Sequence, residues 1–406
     1  MIKAAVLGFG TVGSGVVEVI ERNNEIISKR VGDDLKVKYV LDLREFPGDP
    51  VSEILVHDYN IILEDPEVSI VVETMGGMNP AYEFTKKALL AGKSVCTSNK
   101  ELVAEHGPEL MRIAKEKNVN YLFEASCGGG IPIIRVLNTS LTAEVIEEIS
   151  GILNGTTNYI LTKMAADGSE FEDALKEAQA NGYAERNPEA DIMGKDACRK
   201  IAILSSLAFG KHLSWERIYT EGIADITAAD IKYAKSIGCS IKLLATARSM
   251  EGGRYSVMVS PVLIGPDNPL YSVNSVFNAV FVRGNMLGDS MFYGSGAGKL
   301  PTASAVVGDV VELAKHPNDN VMMEWSEEPM DLIDQGMARS RFFVRVNGTA
   351  AGKLPDIQKV FGNVETISIP GFTDEFAFVT QEMSEQEYKE KEAEISGILN
   401  MIRARI

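Results

Sequence analysis

The sequence predicts an α/β protein: a Rossmann-type doubly wound parallel sheet, then a mixed α+β domain, then a C-terminal ferredoxin-like domain. Three observations carry this. Gly8-Phe9-Gly10-Thr11-Val12-Gly13 follows an apolar run at 2–7 and precedes a helical-period stretch, which is the strand, turn and helix of a dinucleotide-binding unit. Strand-like and helix-like segments then alternate through residue 124, the pattern of a parallel sheet covered on both faces. Beyond residue 340 the order becomes strand 341–347, helix 354–361, strand 363–369, strand 374–381, helix 384–399 and a short final strand, a ferredoxin-like unit.

Each element follows from local chemistry. In the glycine turn the first glycine allows the tight bend, the second lets a pyrophosphate approach the backbone, and the third lets helix and strand pack closely. The helix behind it, expected to reach about Lys29, offers free N–H groups and positive potential to phosphates. A second strand at 36–43 carries Asp42 and Arg44 at its carboxyl end. An acid there favours the free ribose of NAD and an arginine the 2′-phosphate of NADP, so both coenzymes stay open. The buried run 70–72 leads into Glu73-Thr74-Met75-Gly76-Gly77, Pro80 opens a helix to Leu90, and a strand at 93–97 ends in Ser98-Asn99-Lys100. Helix 101–116 and strand 120–124 complete the alternation. Ligands bind beyond the carboxyl ends of such strands, where Gly8 to Gly13, Thr74, Ser98 and Lys100 all fall.

From 125 the texture changes. Cys127-Gly128-Gly129-Gly130-Ile131-Pro132 opens a helix, 145–153 reads as a strand ending in Asn154-Gly155-Thr156-Thr157, and a charged helical segment runs to Ala180. An apolar helix is expected at 195–209, strands at 255–263 and 279–284, and a helix at 302–314 that packs back on the first domain. The expected domains are 1–130, completed by about 300–315; a substrate-binding and dimerisation domain at 131–315; a polar linker at 316–339; and a last domain at 340–406.

Bulk properties narrow the partners. A formal net charge of −17 over 406 residues would repel nucleic acid and anionic membrane surfaces, which leaves a small metabolite. There is no leader-like segment and no long apolar stretch, so a cytoplasmic location is expected. Four cysteines without C-x-x-C spacing and only four histidines suit neither a disulfide framework nor a histidine-based metal centre.

One cluster carries chemistry. Gly182-Tyr183-Ala184-Glu185 is followed by Asp191, Asp196 and Lys200. Asp196 and Lys200 are four apart and share one helical face, where an exposed ion pair would be worth a few tenths of a kcal/mol. The same helix carries Ile201, Ile203, Leu204 and Leu207, which argues for burial, and a buried pair near a cleft is costly unless it has a function. Carboxylates at Glu185, Asp191 and Asp196 could hold an ammonium group. A lysine, Lys200 or Lys100, could give a proton to a carbonyl oxygen as hydride arrives from a nicotinamide. Cys127, at a strand end beside glycines, is a competing nucleophile for an aldehyde, but no histidine lies near it in sequence to activate it. A non-catalytic sensor of nucleotide and amino acid is a third reading.

These residues resemble homoserine dehydrogenase. The likeness runs in order through Gly8–Gly13, Thr97-Ser98-Asn99-Lys100, Glu124 to Pro132, Asn154-Gly155-Thr156-Thr157-Asn158-Tyr159, Gly182 to Lys200 and Gly296-Ala297-Gly298, over about residues 1–315. The tail from 340 resembles an ACT domain. The resemblance implies reduction of L-aspartate 4-semialdehyde to L-homoserine with NADPH or NADH, on the route to threonine, isoleucine and methionine, by a homodimer. It implies Lys200 as proton donor, with Lys100 touching substrate and coenzyme. Glu185, Asp191, Asp196 and Gly182 fall at substrate positions. Gly8, Phe9, Gly10, Thr11, Val12, Gly13, Thr74, Ser98, Lys100, Gly182, Glu185 and Gly298 fall at coenzyme positions. It also implies a monovalent cation, sodium, held by Glu124 and the carbonyls of Cys127, Gly129 and Ile131. Two departures stand out: Leu41-Asp42 replaces the arginine that many members carry after the second strand, and Asn347-Gly348-Thr349-Ala350-Ala351-Gly352 replaces the usual Asp-x-Pro-Gly effector turn. Neither coenzyme preference nor threonine feedback therefore carries over.

Overall fold

Strand β1 (Ile2–Leu7) is apolar but for Lys3, and its last four residues are fully buried, as expected of a central strand in a parallel sheet. In a computed structural model of the chain, which describes residues 1–322 and 325–406, β1 is joined by β2 (Leu35–Leu41), β3 (Leu55–Val56), β4 (Val68–Glu73), β5 (Ser94–Thr97) and β6 (Tyr121–Leu122). The order is β3-β2-β1-β4-β5-β6, with all neighbours parallel. This is the doubly wound order in which the direction of winding reverses between β1 and β4 and opens a crevice at their carboxyl ends.

The helices differ from expectation in detail. The long first helix is two, α1 (Thr11–Arg22) and α2 (Asn24–Val31), broken at Asn23. The Asn23-Asn24 pair explains the break, because asparagine side chains compete with helical backbone bonding. Helices α3 (Tyr59–Glu64), α4 (Ala81–Leu90) and α5 (Lys100–Glu116) follow the alternation. The helix Lys299–Lys315 closes this core as anticipated: Ala303, Val306, Val307 and Val310 pack in one cluster with Val6, Val16, Ile20 and Val72. Gly15 permits the approach, since a Cβ there would lie 2.9 Å from Ala303 Cβ.

The chain forms two compact units, one of residues 1–145, 199–216 and 292–330, the other of 146–198, 217–291 and 331–406. These bounds differ from the expected ones in two places. Residues 316–339 are not a bare linker: Ser326–Pro329 pairs with Lys211–His212, and Trp325 is 2% exposed against α5, where a Cβ on Gly107 would come within 2.5 Å of its ring. Met323 and Glu324, inside that expected linker, lie outside the described residues. Nor is 340–406 a separate body. Its last strand, Ile398–Arg405, pairs in parallel with Arg254–Ile264, with Val262 opposite Arg403 and Ile264 opposite Arg405.

The second unit is therefore built on one extended sheet. Strands run in the order Phe277–Gly284, Ile146–Ile152, Ser240–Met250, Arg254–Ile264, Ile398–Arg405, Arg339–Asn347, Glu375–Val379 and Glu365–Ile367. Apart from the two-residue strand Met383–Ser384, which pairs with Arg339 and Ser340, the last four are the fourth, first, third and second strands of the C-terminal segment. With helices Ala350–Phe361 and Glu385–Glu392 they form the expected ferredoxin-like unit. The final helix is shorter, and the final strand longer, than expected. Strands Ser240–Met250 and Gly288–Ser295 and helix Ala228–Ser236 were not anticipated. The first carries Ala245, Ala247 and Lys242 among its apolar residues, a mixture with little β-propensity. The expected single helix to Ala180 is two, Gly155–Asp167 and Phe171–Ala180, parted at Gly168 with φ +74°.

Candidate functional site

The glycine turn is built as its spacing requires. Gly8 has φ +92°, and a Cβ there would meet Met75 and Thr74 backbone atoms at 3.1–3.2 Å. A Cβ on Gly13 would lie 1.9 Å from Gly8 O, so the third glycine is needed for the crossing of helix and strand. Around Gly10, by contrast, nothing lies within 4 Å of a Cβ. The space beside it belongs to a cavity of about 510 Å³ that Gly8, Gly10, Asp42, Arg44, His57 and Thr74 help to line. Phe9, Thr11 and Val12 lie in the turn and the first turn of α1. The Thr74 hydroxyl donates to Leu7 O and Gly8 O, each at 3.0 Å, and pins the turn to the end of β4.

Asp42 joins the turn rather than waiting beside it. Its Oδ2 accepts the Phe9 N–H and Arg44 Nη2, each at 2.8 Å, and its Oδ1 accepts Arg44 Nε at 2.9 Å and the Arg44 backbone N–H at 3.0 Å. The Arg44 guanidinium holds this carboxyl far below the usual carboxylate range. His57 Nδ1 lies 2.6 Å from Asp42 O, and its Nε2 lies 3.0 Å from Glu45.

Ser98 and Lys100 are set by a lattice that sequence reasoning missed. Glu73, fully buried at the end of β4, accepts the Met75 N–H at 2.7 Å and the Thr97 hydroxyl at 2.5 Å. Burial pushes its carboxyl up. Thr97 Oγ1 in turn accepts from Asn99 N at 2.9 Å. The Asn99 side chain donates to Gly77 O at 2.6 Å and caps α5 through Leu102 N at 3.2 Å. The loops after β4 and β5 are thereby locked to each other, with Lys100 as the first residue of α5. An acid ending an otherwise apolar strand was the available signal. Gly298 precedes the helix Lys299–Lys315 with φ +116°.

In the second unit Asn154 organises the acids. Its Oδ1 accepts from Thr157 N at 2.8 Å and caps the helix Gly155–Asp167. Its Nδ2 donates to Asp191 at 2.7 Å and to Asp196 at 2.8 Å. Asp196 is 5% exposed and Asp191 is half-buried. Gly182, with φ +74°, and Glu185 lie in the loop after Phe171–Ala180, which the Thr156 hydroxyl holds through Tyr183 O at 2.5 Å. Glu185 is exposed, and among the described bonds none joins its carboxylate to Asp191 or Asp196. In the sequence Asn154 reads only as part of the Asn-Gly-Thr-Thr motif. An asparagine ahead of Gly-Thr-Thr signals a helix cap, and the second use of its amide shows only in three dimensions.

Helix Lys195–Phe209 carries both Asp196 and Lys200, one turn apart, and Lys200 is 9% exposed, so the exposed ion-pair reading fails. Cys127 is fully buried, with its Sγ 3.6 Å from Lys200 O. A thiol so enclosed packs as a small apolar group and does not attack substrates.

Residues 132–311 match the family model for homoserine dehydrogenase, and residues 8–124 match that for the homoserine dehydrogenase NAD binding domain. The chain belongs to the homoserine dehydrogenase family. It is 40% identical to a homoserine dehydrogenase of Synechocystis, over 98% of this chain and 96% of the relative. It superposes on a homoserine dehydrogenase from Thiobacillus denitrificans with a TM-score of 0.92 and 35% identity, over 100% and 98% of the two chains. A hyperthermophilic archaeal homoserine dehydrogenase mutant in complex with NADPH matches 77% of this chain and 97% of its own, with a TM-score of 0.66 and 31% identity. As a member of this homoserine dehydrogenase family the protein is an NAD(P)-dependent oxidoreductase. Among the described residues no helix is long and apolar enough to cross a membrane.

The loop for which the family resemblance implies a cation is also a helix entry. Glu124 accepts from the backbone of Ile133 at 2.6 Å, Ile134 at 2.9 Å and Arg135 at 2.8 Å. Gly128 and Gly129 both have positive φ, and a Cβ on Gly129 would lie 2.3 Å from Gly296 O. The donor set, turn carbonyls with one carboxylate, fits a hard cation. Among the described residues no group of three or more histidine, cysteine or acidic side chains could hold a metal.

Proposed function

We propose that the enzyme reversibly reduces L-aspartate 4-semialdehyde to L-homoserine, on the route to threonine, isoleucine and methionine. The observation that carries this is the double use of Asn154 Nδ2, which gathers Asp191 and Asp196 on one amide. Two carboxylates drawn together on a neutral donor keep most of their acceptor capacity, which suits an amino-acid ammonium group. Glu185 and the Gly182 backbone complete the substrate side.

Bound NADPH or NADH would supply the hydride that the aldehyde carbon accepts. Lys200 gives the proton that turns the developing alkoxide into an alcohol. A protonated lysine is suited to this as a donor-only cation that stabilises negative charge while it builds. Lys100, at the start of α5, binds substrate and coenzyme, while Ser98, Thr74, Gly298 and the glycine turn position the coenzyme. A sodium ion would be held by the carbonyls of Cys127, Gly129 and Ile131 beside Glu124, whose carboxylate already accepts three amides; its chemistry there is structural. The C-terminal unit is read as an ACT domain, the assembly as a dimer and the location as the cytoplasm, on the family resemblance.

The test is oxidation of NAD(P)H with aspartate 4-semialdehyde by the wild type and by Lys200→Ala. Loss of a general acid lowers kcat by about a hundredfold or more. Turnover in the wild type with an unchanged rate in the variant would remove Lys200 from the role of proton donor, and no turnover in the wild type would sink the whole assignment.

A further inference from the structure

The second unit holds a polar cavity of about 300 Å³ that the catalytic reading leaves unused. Its walls come from strands Ser240–Met250, Arg254–Ile264 and Ile398–Arg405 and from the stretch 333–340. Arg248, Arg339, Arg403 and Arg405 line it, and Glu382 is the one acid among the described lining residues.

The four arginines are not equally satisfied. Arg403 is fully engaged: it donates to both oxygens of Glu385, at 2.6 and 3.0 Å, and to Glu221 at 2.6 Å. Arg339, at the rim, pairs with Glu382 at 3.0 Å. Arg248 and Arg405 must share a single carboxylate. Glu148 accepts from Arg248 Nε at 2.9 Å and Nη2 at 3.4 Å, and from Arg405 Nη1 at 3.2 Å. Beyond a 3.5 Å contact with Ser150, that is the whole bonding of Arg405; its Nε and Nη2 make no bond among the described residues.

Two guanidiniums on one carboxylate leave one uncompensated positive charge in a half-buried place. Burial, and then the charge of Arg248, push the Arg405 guanidinium down to about 10. The unspent donors are planar and paired, the geometry that carboxylate and phosphate oxygens match. Thr246, Ser256 and Ser260 line the same cavity and can donate or accept.

We propose that this cavity binds a small oxyanion, a carboxylate or phosphate group, between Arg248 and Arg405. Its volume suits a molecule of amino-acid or short dicarboxylate size. Because the ferredoxin-like segment contributes Arg405 and the central strands contribute Arg248, the bound group bridges the seam between them.

The test titrates the full-length protein with succinate and, separately, inorganic phosphate, by calorimetry at fixed ionic strength. Saturating NADP⁺ is present so that the dinucleotide cavity cannot take the probe. Saturable binding of at least one anion is expected, weakened about tenfold or more in Arg405→Gln, the scale of a lost charge-assisted bond. Because that change also removes an ion pair from the sheet, Met258→Trp serves as the second variant: it fills the cavity, keeps both arginines and is expected to block the same binding. Succinate alone would assign the site to carboxylates, and phosphate alone to phosphates. Absence of saturable binding in the wild type, or equal binding in both variants, overturns the proposal.

Discussion

The side-chain amide of Asn154 stands 2.8 Å from Asp196 Oδ2, and the same nitrogen lies 2.7 Å from Asp191. One neutral donor thus holds two carboxylates that would otherwise repel each other. Removing it in Asn154→Ala should cost more than a helix cap. Loss of the cap alone costs about 1 kcal/mol of stability, whereas release of the acids should raise KM for the amino-acid substrate at least about tenfold. Asn154→Ser keeps a capping oxygen without the amide that spans both acids, so it should restore stability and not KM. Steady-state kinetics beside thermal melts separate the two effects. A variant with lowered stability and unchanged KM would reduce Asn154 to a cap.

The glycine turn separates folding from binding within six residues. Gly13→Ala puts a Cβ 1.9 Å from Gly8 O and should fail to fold or lose several kcal/mol of stability. Gly10→Ala meets open space in a backbone that L-residues adopt, with φ −84°. It should melt within a few degrees of the wild type, yet bind coenzyme about tenfold or more weakly, because the methyl occupies the path of the phosphates. Fluorescence titration with NADPH checks this, and a Gly10→Ala protein with normal affinity would place the pyrophosphate elsewhere.

How much of this was legible depended on whether a residue acts through chain neighbours or across strands. The turn, the alternation of strands and helices and the helix Lys195–Phe209 follow from local period and spacing, which one segment displays by itself. Glu73 offered only an acid at the end of an apolar run, because its partner Thr97 lies on the next strand. The joining of the C-terminal segment to the central strands is hidden for the same reason. Nothing in residues 398–405 announces that they will pair with residues 262–264 in parallel rather than end the chain as a short edge strand. Trp325 is hard to single out inside a polar stretch whose acids, asparagines and prolines outweigh its apolar residues.

Asp42 and Arg44 bear on coenzyme choice through their mutual bond. Arg44 is exposed over 60% of its side chain but Asp42 over only 10%, so the pair is worth more than the about 0–1 kcal/mol of a fully exposed one. A 2′-phosphate would have to compete with Asp42 for Arg44, while Asp42 keeps the Phe9 N–H, and both coenzymes should be used. Arg44→Ala should lower kcat/KM for NADPH about tenfold and leave NADH within about twofold, while Asp42→Asn should shift the ratio toward NADPH. Equal losses with both coenzymes in Arg44→Ala would show that the arginine only supports the turn.

Lys242 gives the fold a pH dependence of its own. It is 1% exposed, with Nζ 2.6 Å from Val273 O, 2.8 Å from Asn274 Oδ1 and 3.3 Å from Asn158 Oδ1. No carboxylate is among these partners, and burial pushes the ammonium down to about 8. An unfolded lysine titrates at the ordinary value of 10.5, so between these two values the unfolded chain holds a proton that the folded one has released. Stability attributable to this residue therefore rises with pH across that window. Below about 8 the fold carries the full cost of a buried charge, about 3 kcal/mol by linkage. Lys242→Met keeps the volume without the charge and should lack this slope. Urea unfolding of both proteins at about pH 7.5 and about pH 10 measures it: the variant's advantage should shrink as pH rises. Parallel stability at both pH values would mean that the three neutral acceptors hold the ammonium charged throughout.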